Sequence, residues 1–174
     1  PVFTARLAIN AGNPQAAFDA LFPTLGEGLG DEAAVVAHAI AAGAVLPEDA
    51  QLGRPVAALA KWLNSPDARS ARVHASQANL VNGSVADLLR AEKAVAWGDA
   101  AGINAANERF VQSADPQLKL RGLLGTLDAV QSGSLKGQSK EAIAAMAMEA
   151  NTIAQAEGTL QQATSALAHA VSAS

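Results

Sequence analysis

This chain of 174 residues contains no cysteine and no tyrosine, and its aromatic side chains are four phenylalanines and two tryptophans. The missing cysteine excludes disulfides, thiolate metal sites and thiol catalysis. It fits an exported or virion protein, and a cytosolic one as well. So few aromatic and β-branched runs argue against a β-sandwich, whose strands are built from Val, Ile, Tyr and Phe. Strong charge is missing too. The formal net charge is −4, and the basic residues are scattered. Arg69 and Arg72 come nearest to a cluster, with Asp67 beside them. The chain therefore lacks the basic patch that nucleic acid requires, and no nucleic-acid partner is expected. Long apolar runs are also lacking. The longest, "AAVVAHAIAAGAVL", is interrupted by His38 and Gly43 and falls short of the ~18–20 apolar residues of a membrane span. No transmembrane segment is expected. The chain opens on Pro1 rather than methionine, so loss of a methionine or of a leader both stay open.

What is present is alanine. Hydrophobic residues make up 50% of the chain, and small side chains of this kind suit closely packed helices. The expected fold is all-α: a multi-helix bundle or an array of helical hairpins, with a short extended arm at the start and a long helix at the end. The length suits one domain with a real core. Within it, residues 1–12 read as the arm, 13–133 as short helices and 134–174 as the segment of the long C-terminal helix.

In the arm, Val2, Phe3, Leu7 and Ile9 alternate loosely and offer apolar contacts to the domain itself or to a neighbour. Asn13 is a good N-cap and Pro14 suits the first helical position, so a helix runs from Pro14 to about Leu21 and stops at Pro23. "TLGEGLG" is a loop. Asp31 is read as the cap of a helix from Glu32 to Ala42, ended by Gly43. Pro55 opens another through Val56, Leu59, Trp62 and Leu63. Ser65-Pro66 opens one that runs to about Asn82. Ser84, with Asp87 three residues on, starts the next in the manner of a capping box, and Gly98 and Gly102 weaken it before "INAANERFVQS". Asp115-Pro116 heads a helix with Leu120, Leu123, Leu127 and Val130 on one face.

"NPQAAF", "SPDARS" and "DPQLKL" share a small polar residue before proline. Each is followed by a glycine and a second cap, at Gly30-Asp31, Gly83-Ser84 and Gly133-Ser134. Ordinary helix punctuation and a three-fold array of helical hairpins both give this pattern.

The last helix, from about Ser139 towards Ala170, carries a heptad. Met146, Ile153, Leu160 and Leu167 are spaced by seven. Ile143, Ala150 and Val171 occupy the alternate seam, which Glu157 and Thr164 interrupt. These residues form the candidate interaction seam, packing lengthwise against helices of the same chain or of another.

Signatures of catalysis are missing. His38, His74 and His169 have no partner at metal-ligand spacing. His38 reads as an interior or interfacial residue, and His74 and His169 as ordinary helix-surface residues. Glu141, Glu149 and Glu157 recur every eight residues as a sparse acidic stripe, which reads as a solvated face. "GEGLG" lacks the preceding strand and the spacing of a phosphate-binding loop. Catalytic, cofactor-binding and metal-binding residues are accordingly none, and no cofactor is expected.

"FDALFPTLGEGLGD" (Phe18–Asp31), followed at a distance by "LPED", resembles the glycine-containing linker of the minor pilus subunits of bacterial type IV secretion and conjugation systems. "LLGTLDAVQSGSLKGQSKEAIAAMAMEANTIAQAEGTLQQ" is similar to that family's C-terminal helical hairpin. In the family a long glutamine-rich helix precedes the linker, where this chain has Pro14–Leu21. The resemblance implies an exported, non-enzymatic helical protein at a secretion pilus.

The residues themselves point to a non-catalytic helical building block of a larger assembly, such as a virion, appendage or secretion apparatus. Its partners would be copies of itself or other assembly subunits, and an exported or virion setting is favoured over the cytoplasm. The rival class is a small-ligand binder or enzyme with a pocket between helices, walled by Trp62, Trp97 and Phe110. A buried carboxylate or histidine beside a roomy cavity would favour that rival.

Overall fold

A computed structural model describes residues 1–157 and 159–173, the side chains of Leu160 and Ala173 excepted. The chain is all-α. Helix accounts for 73% of it and no strand occurs among the described residues. None of these helices is long and apolar enough to cross a membrane. Where the sequence suggested one domain, the chain divides into two compact units, Pro1–Trp97 and Gly98–Ser174.

Unit 1 begins with a correction. The expected extended arm is helix α1, Val2–Asn10. Val2, Ala5 and Ile9 recur at three and four residues, which is the helical period. Ala5 and Ile9 are buried, Val2 is half-buried, and α1 packs on the next two helices. The large side chains alone suggest an alternation, and the small Ala5 between them completes the helical period. Helix α2 (Pro14–Leu21) follows the sequence expectation. The Asn13 side chain accepts a hydrogen bond from the Ala16 N–H at 3.2 Å, and Pro14 occupies the first turn. Phe18 and Phe22 stack at 4.6 Å as the chain tightens into a 3₁₀ turn over Phe22–Thr24.

Helix α3 (Asp31–Ala41) is the centre of this unit. Ala33, Ala34, Val35, Val36, Ala37 and Ala39 are all buried, around nearly its whole circumference. Helix α4 (Arg54–Leu63) lies against it through Val56, Leu59 and Leu63. The single helix expected from Ser65-Pro66 to Asn82 is instead α5 (Ala68–Ala71), a 3₁₀ turn (Arg72–His74) and α6 (Ala75–Ala78). Its cap is Asp67, whose carboxylate accepts from the Ser70 N–H at 2.7 Å. The X-Pro pattern thus heads a helix at Pro14 and Pro116 but not at Pro66.

Asp31 also departs from its expected role. It opens α3 without capping it. Its carboxylate accepts from the N–H of Val85, at 2.9 Å, in the first turn of α7 (Ser84–Trp97). Gly83 has φ +106°, and a β-carbon there would strike the Asp31 carboxylate. Glycine is therefore needed at this position for its backbone and for the close approach. Arg90 on α7 is buried and donates to the carbonyls of Ala78 and Val81 at 2.8 and 2.6 Å. It thereby ties α7 to the last residue of α6 and to the turn that follows it.

Unit 2 consists of α8 (Ala100–Val111), α9 (Pro116–Gln131), α10 (Lys140–Glu157) and α11 (Leu160–Ala173). Asp115 caps α9 as expected, accepting from the N–H groups of Gln117 and Leu118. Helices α8 and α9 approach closely along Gly122 and Gly125. A β-carbon on Gly122 would lie 2.6 Å from the Val111 nitrogen, and one on Gly125 would lie 2.5 Å from the Asn107 side chain. The core joins Leu120, Leu123 and Leu127 of α9 to Ala147, Ala150 and Ala154 of α10 and Ala166 of α11. The single C-terminal helix is the second correction. It is two helices that pack on one another, with the start of α10 beside the end of α11. Alanine against alanine lets them approach closely.

Candidate functional site

Folding back divides the proposed seam. On α10, Ala150 is buried and Ile143, Met146 and Ile153 are half-buried, all within the core of unit 2. Glu157 is exposed, and its backbone carbonyl accepts from the Gln117 side chain. Lys119 pairs with Glu149, at 2.5 Å. On α11 the buried positions are Ala166 and His169, while Leu167 and Val171 are 50% and 75% exposed. The Leu160 side chain lies outside the described residues. The seven-residue count therefore joins two faces with different surroundings, because the helix axis reverses between them. On α10, Ile143, Met146, Ala150 and Ile153 pack within the core of unit 2, whereas Leu167 and Val171 on α11 are exposed.

The four arm residues separate in the same way. Ile9 is buried and Val2 half-buried, while Phe3 and Leu7 are 74% and 51% exposed. Four residues apart on a helix, Phe3 and Leu7 share one face and form an apolar ridge.

Two clefts are bordered by histidines, one by His38 and one by His169. In unit 1 a cleft of about 380 Å³ is bordered by His38, Asn64, Glu92 and Lys93, with Leu63 and Leu89 among its walls. The Nδ1 of His38 is buried and has no hydrogen-bond partner among the described residues, and the same holds for Nε of Arg6. The Arg6 guanidinium lies 3.8 Å from the Glu92 carboxylate. Burial pushes the His38 imidazole below its ordinary value. Glu92 opposes this, and the cations Arg6 and Lys93 add to it. The ring is consequently held towards its neutral form.

In unit 2 a groove of about 330 Å³ lies where the ends of α9 and α11 meet the start of α10. Leu127, Val130 and Ile143 give it apolar walls, and Gln131, Lys140, His169 and Ser172 supply its polar groups. His169 was read as a surface residue; it is only 8% exposed. Its Nε2 lies 2.9 Å from Oδ1 of Asp128. A carboxylate can only accept, so in the neutral ring Nε2 carries the proton and Nδ1 is an acceptor. The Ser172 hydroxyl donates to the Ala168 carbonyl. The pairing of Asp128 with His169 spans 41 residues. No local spacing signals it, because it arises where two helix ends converge.

The aromatic walls foreseen for a pocket are elsewhere. Trp62 and Trp97 meet edge to face at 4.9 Å, and Phe110 is buried under the Arg121 guanidinium at 5.2 Å. None of the three borders either cleft. No group of three or more metal-ligating side chains occurs among the described residues. No protein family, no curated protein and no solved structure matches this chain.

Proposed function

We propose that this chain is a non-catalytic helical building block of a larger assembly, with copies of itself as its first partners. The observation that carries the reading is the ridge of Phe3 and Leu7 on α1. Single exposed apolar side chains are common on any protein surface. Two large ones on adjacent turns of one helix, whose other face already packs into a core, are the pattern of a surface that another helix covers. Leu167 adds a second exposed apolar position on α11. The setting is a virion, an appendage or a secretion apparatus. The sequence resemblance to minor pilus subunits agrees with such a setting.

The test is the mass in solution by sedimentation over a hundred-fold range of concentration. The parent should be heavier than one chain, with mass rising with concentration. Phe3→Ser with Leu7→Ser should return it to a single chain without loss of helical circular dichroism, since both side chains are exposed. A parent that stays a single chain throughout ends the self-assembly reading.

A further inference from the structure

We propose that the cleft in unit 1, bordered by the ends of α3 and α4 and by α7, binds a small aliphatic α-amino acid. The site would be additional to the assembly role and does not depend on it.

Four features converge on this chemistry. The first is a set of acceptors. Ala41 and Ala42 border the cleft at the end of α3, and Leu63 and Asn64 border it at the end of α4. The backbone carbonyls of these four residues accept no hydrogen bond among the described residues. Open carbonyls at a helix C-terminus carry partial negative charge and favour a cation. Glu92 adds a full charge. Its carboxylate is 55% exposed and lies 3.8 Å from Arg6, too far for a hydrogen bond. The second feature is Lys93, which borders the same cleft and makes no ion pair among the described residues. Its ammonium lies 6.0 Å from the centre of the Trp97 ring. Adjacent residues of a helix do not face each other, so Glu92 and Lys93 hold opposite charges apart. The third feature is His38. Nδ1 is sealed in the protein without a partner, which leaves Nε2 as the nitrogen on the accessible side. Burial holds the ring towards its neutral form, so it offers a polar contact without repelling an ammonium group. The fourth feature is the wall, where Leu63 and Leu89 give aliphatic surface and no aromatic residue intrudes. An ammonium for the helix ends and Glu92, a carboxylate for Lys93 and a saturated side chain for the leucines together define an amino acid of the size of leucine. The volume of about 380 Å³ suits a small molecule.

The experiment is titration calorimetry of the full chain with L-leucine, 4-methylpentanoate and 3-methylbutylamine. L-Leucine should bind saturably, one per chain. 4-Methylpentanoate lacks the ammonium group and 3-methylbutylamine lacks the carboxylate. Each should bind at least about tenfold more weakly, as loss of a charge-assisted contact does. Lys93→Gln should weaken L-leucine by about tenfold and leave 3-methylbutylamine no weaker than before, because the amine has no carboxylate for Lys93 to hold. Ala96→Phe fills the cleft from an exposed position of α7 and should abolish binding while the helical circular dichroism is kept. If either variant fails to fold, the ligand series on the parent still decides. Affinity for either truncated probe equal to that for L-leucine, indifference to Lys93→Gln or to Ala96→Phe, or no saturable binding of L-leucine would each overturn the proposal.

Discussion

His38 shows how one residue can make unit 1 sensitive to pH. Burial depresses its pKa, with Arg6 and Lys93 acting in the same sense and Glu92 against. The unfolded chain therefore takes up the proton first, at about 6.5. Above that pH the ring is neutral in both states and costs nothing. As the pH falls through the window between about 6.5 and the lower folded value, the unfolded state binds more protons and folding loses stability. In urea unfolding between pH 8 and pH 5, the parent should weaken progressively on the acid side. His38→Gln, which cannot take up a proton, should weaken less over the same range. Parallel losses in the two proteins would show that other groups carry the effect. The sequence identified His38 as an interior or interfacial residue because alanine and valine flank it on a helix. It could not show that Arg6, Glu92 and Lys93, from two other helices, act on the ring.

At the scale of the element, unit 2 depends on how closely α8 and α9 lie. Gly122 and Gly125 are each tight against α8, but against different atoms. A methyl at Gly122 meets the backbone, 2.6 Å from the Val111 nitrogen and 2.7 Å from the Asn107 carbonyl oxygen. A methyl at Gly125 meets the Asn107 side chain, which can rotate. Alanine is otherwise the better helix former by about 1 kcal/mol. Gly122→Ala should therefore be net destabilising, by about 1–3 kcal/mol as for an overpacked core. Gly125→Ala should cost less or be neutral. Denaturant midpoints of the two variants check the ranking, and the reverse order would show that the helices separate easily. The sequence marked Asp115-Pro116 and the leucine face of α9, which are local patterns. Gly122 and Gly125 carried no such mark, since only the neighbouring helix makes them necessary.

For the whole molecule, the consequence of two compact units is that each has its own core. The buried cluster from Ala5 to Leu89 lies wholly within residues 1–97, and the leucine–alanine cluster from Leu120 to Ala166 lies beyond them. A segment of 97 residues is within the size range of chains that fold alone. Residues 1–97 produced by themselves should give a helical circular-dichroism spectrum and a cooperative thermal transition. A disordered fragment would mean that its core requires the remainder of the chain.

What the sequence determined by itself is the all-α class and the local punctuation of its helices. Alanine abundance, the caps at Asn13 and Asp115 and the prolines that follow them act over three or four residues, so no distant partner is needed to read them. The tertiary structure decided which faces are buried. In helices this rich in alanine, almost every face has a suitable small residue, and periodicity alone does not choose among them. Leu167 kept the heptad register of Ile153, yet the two differ in burial because α11 folds back on α10. Asp31 looked like a cap for its own helix and serves one that begins 53 residues later, because the two loops meet in space. The groove beside His169 has the same origin. Its polar groups come from three helix ends, and only close alanine packing brings those ends together.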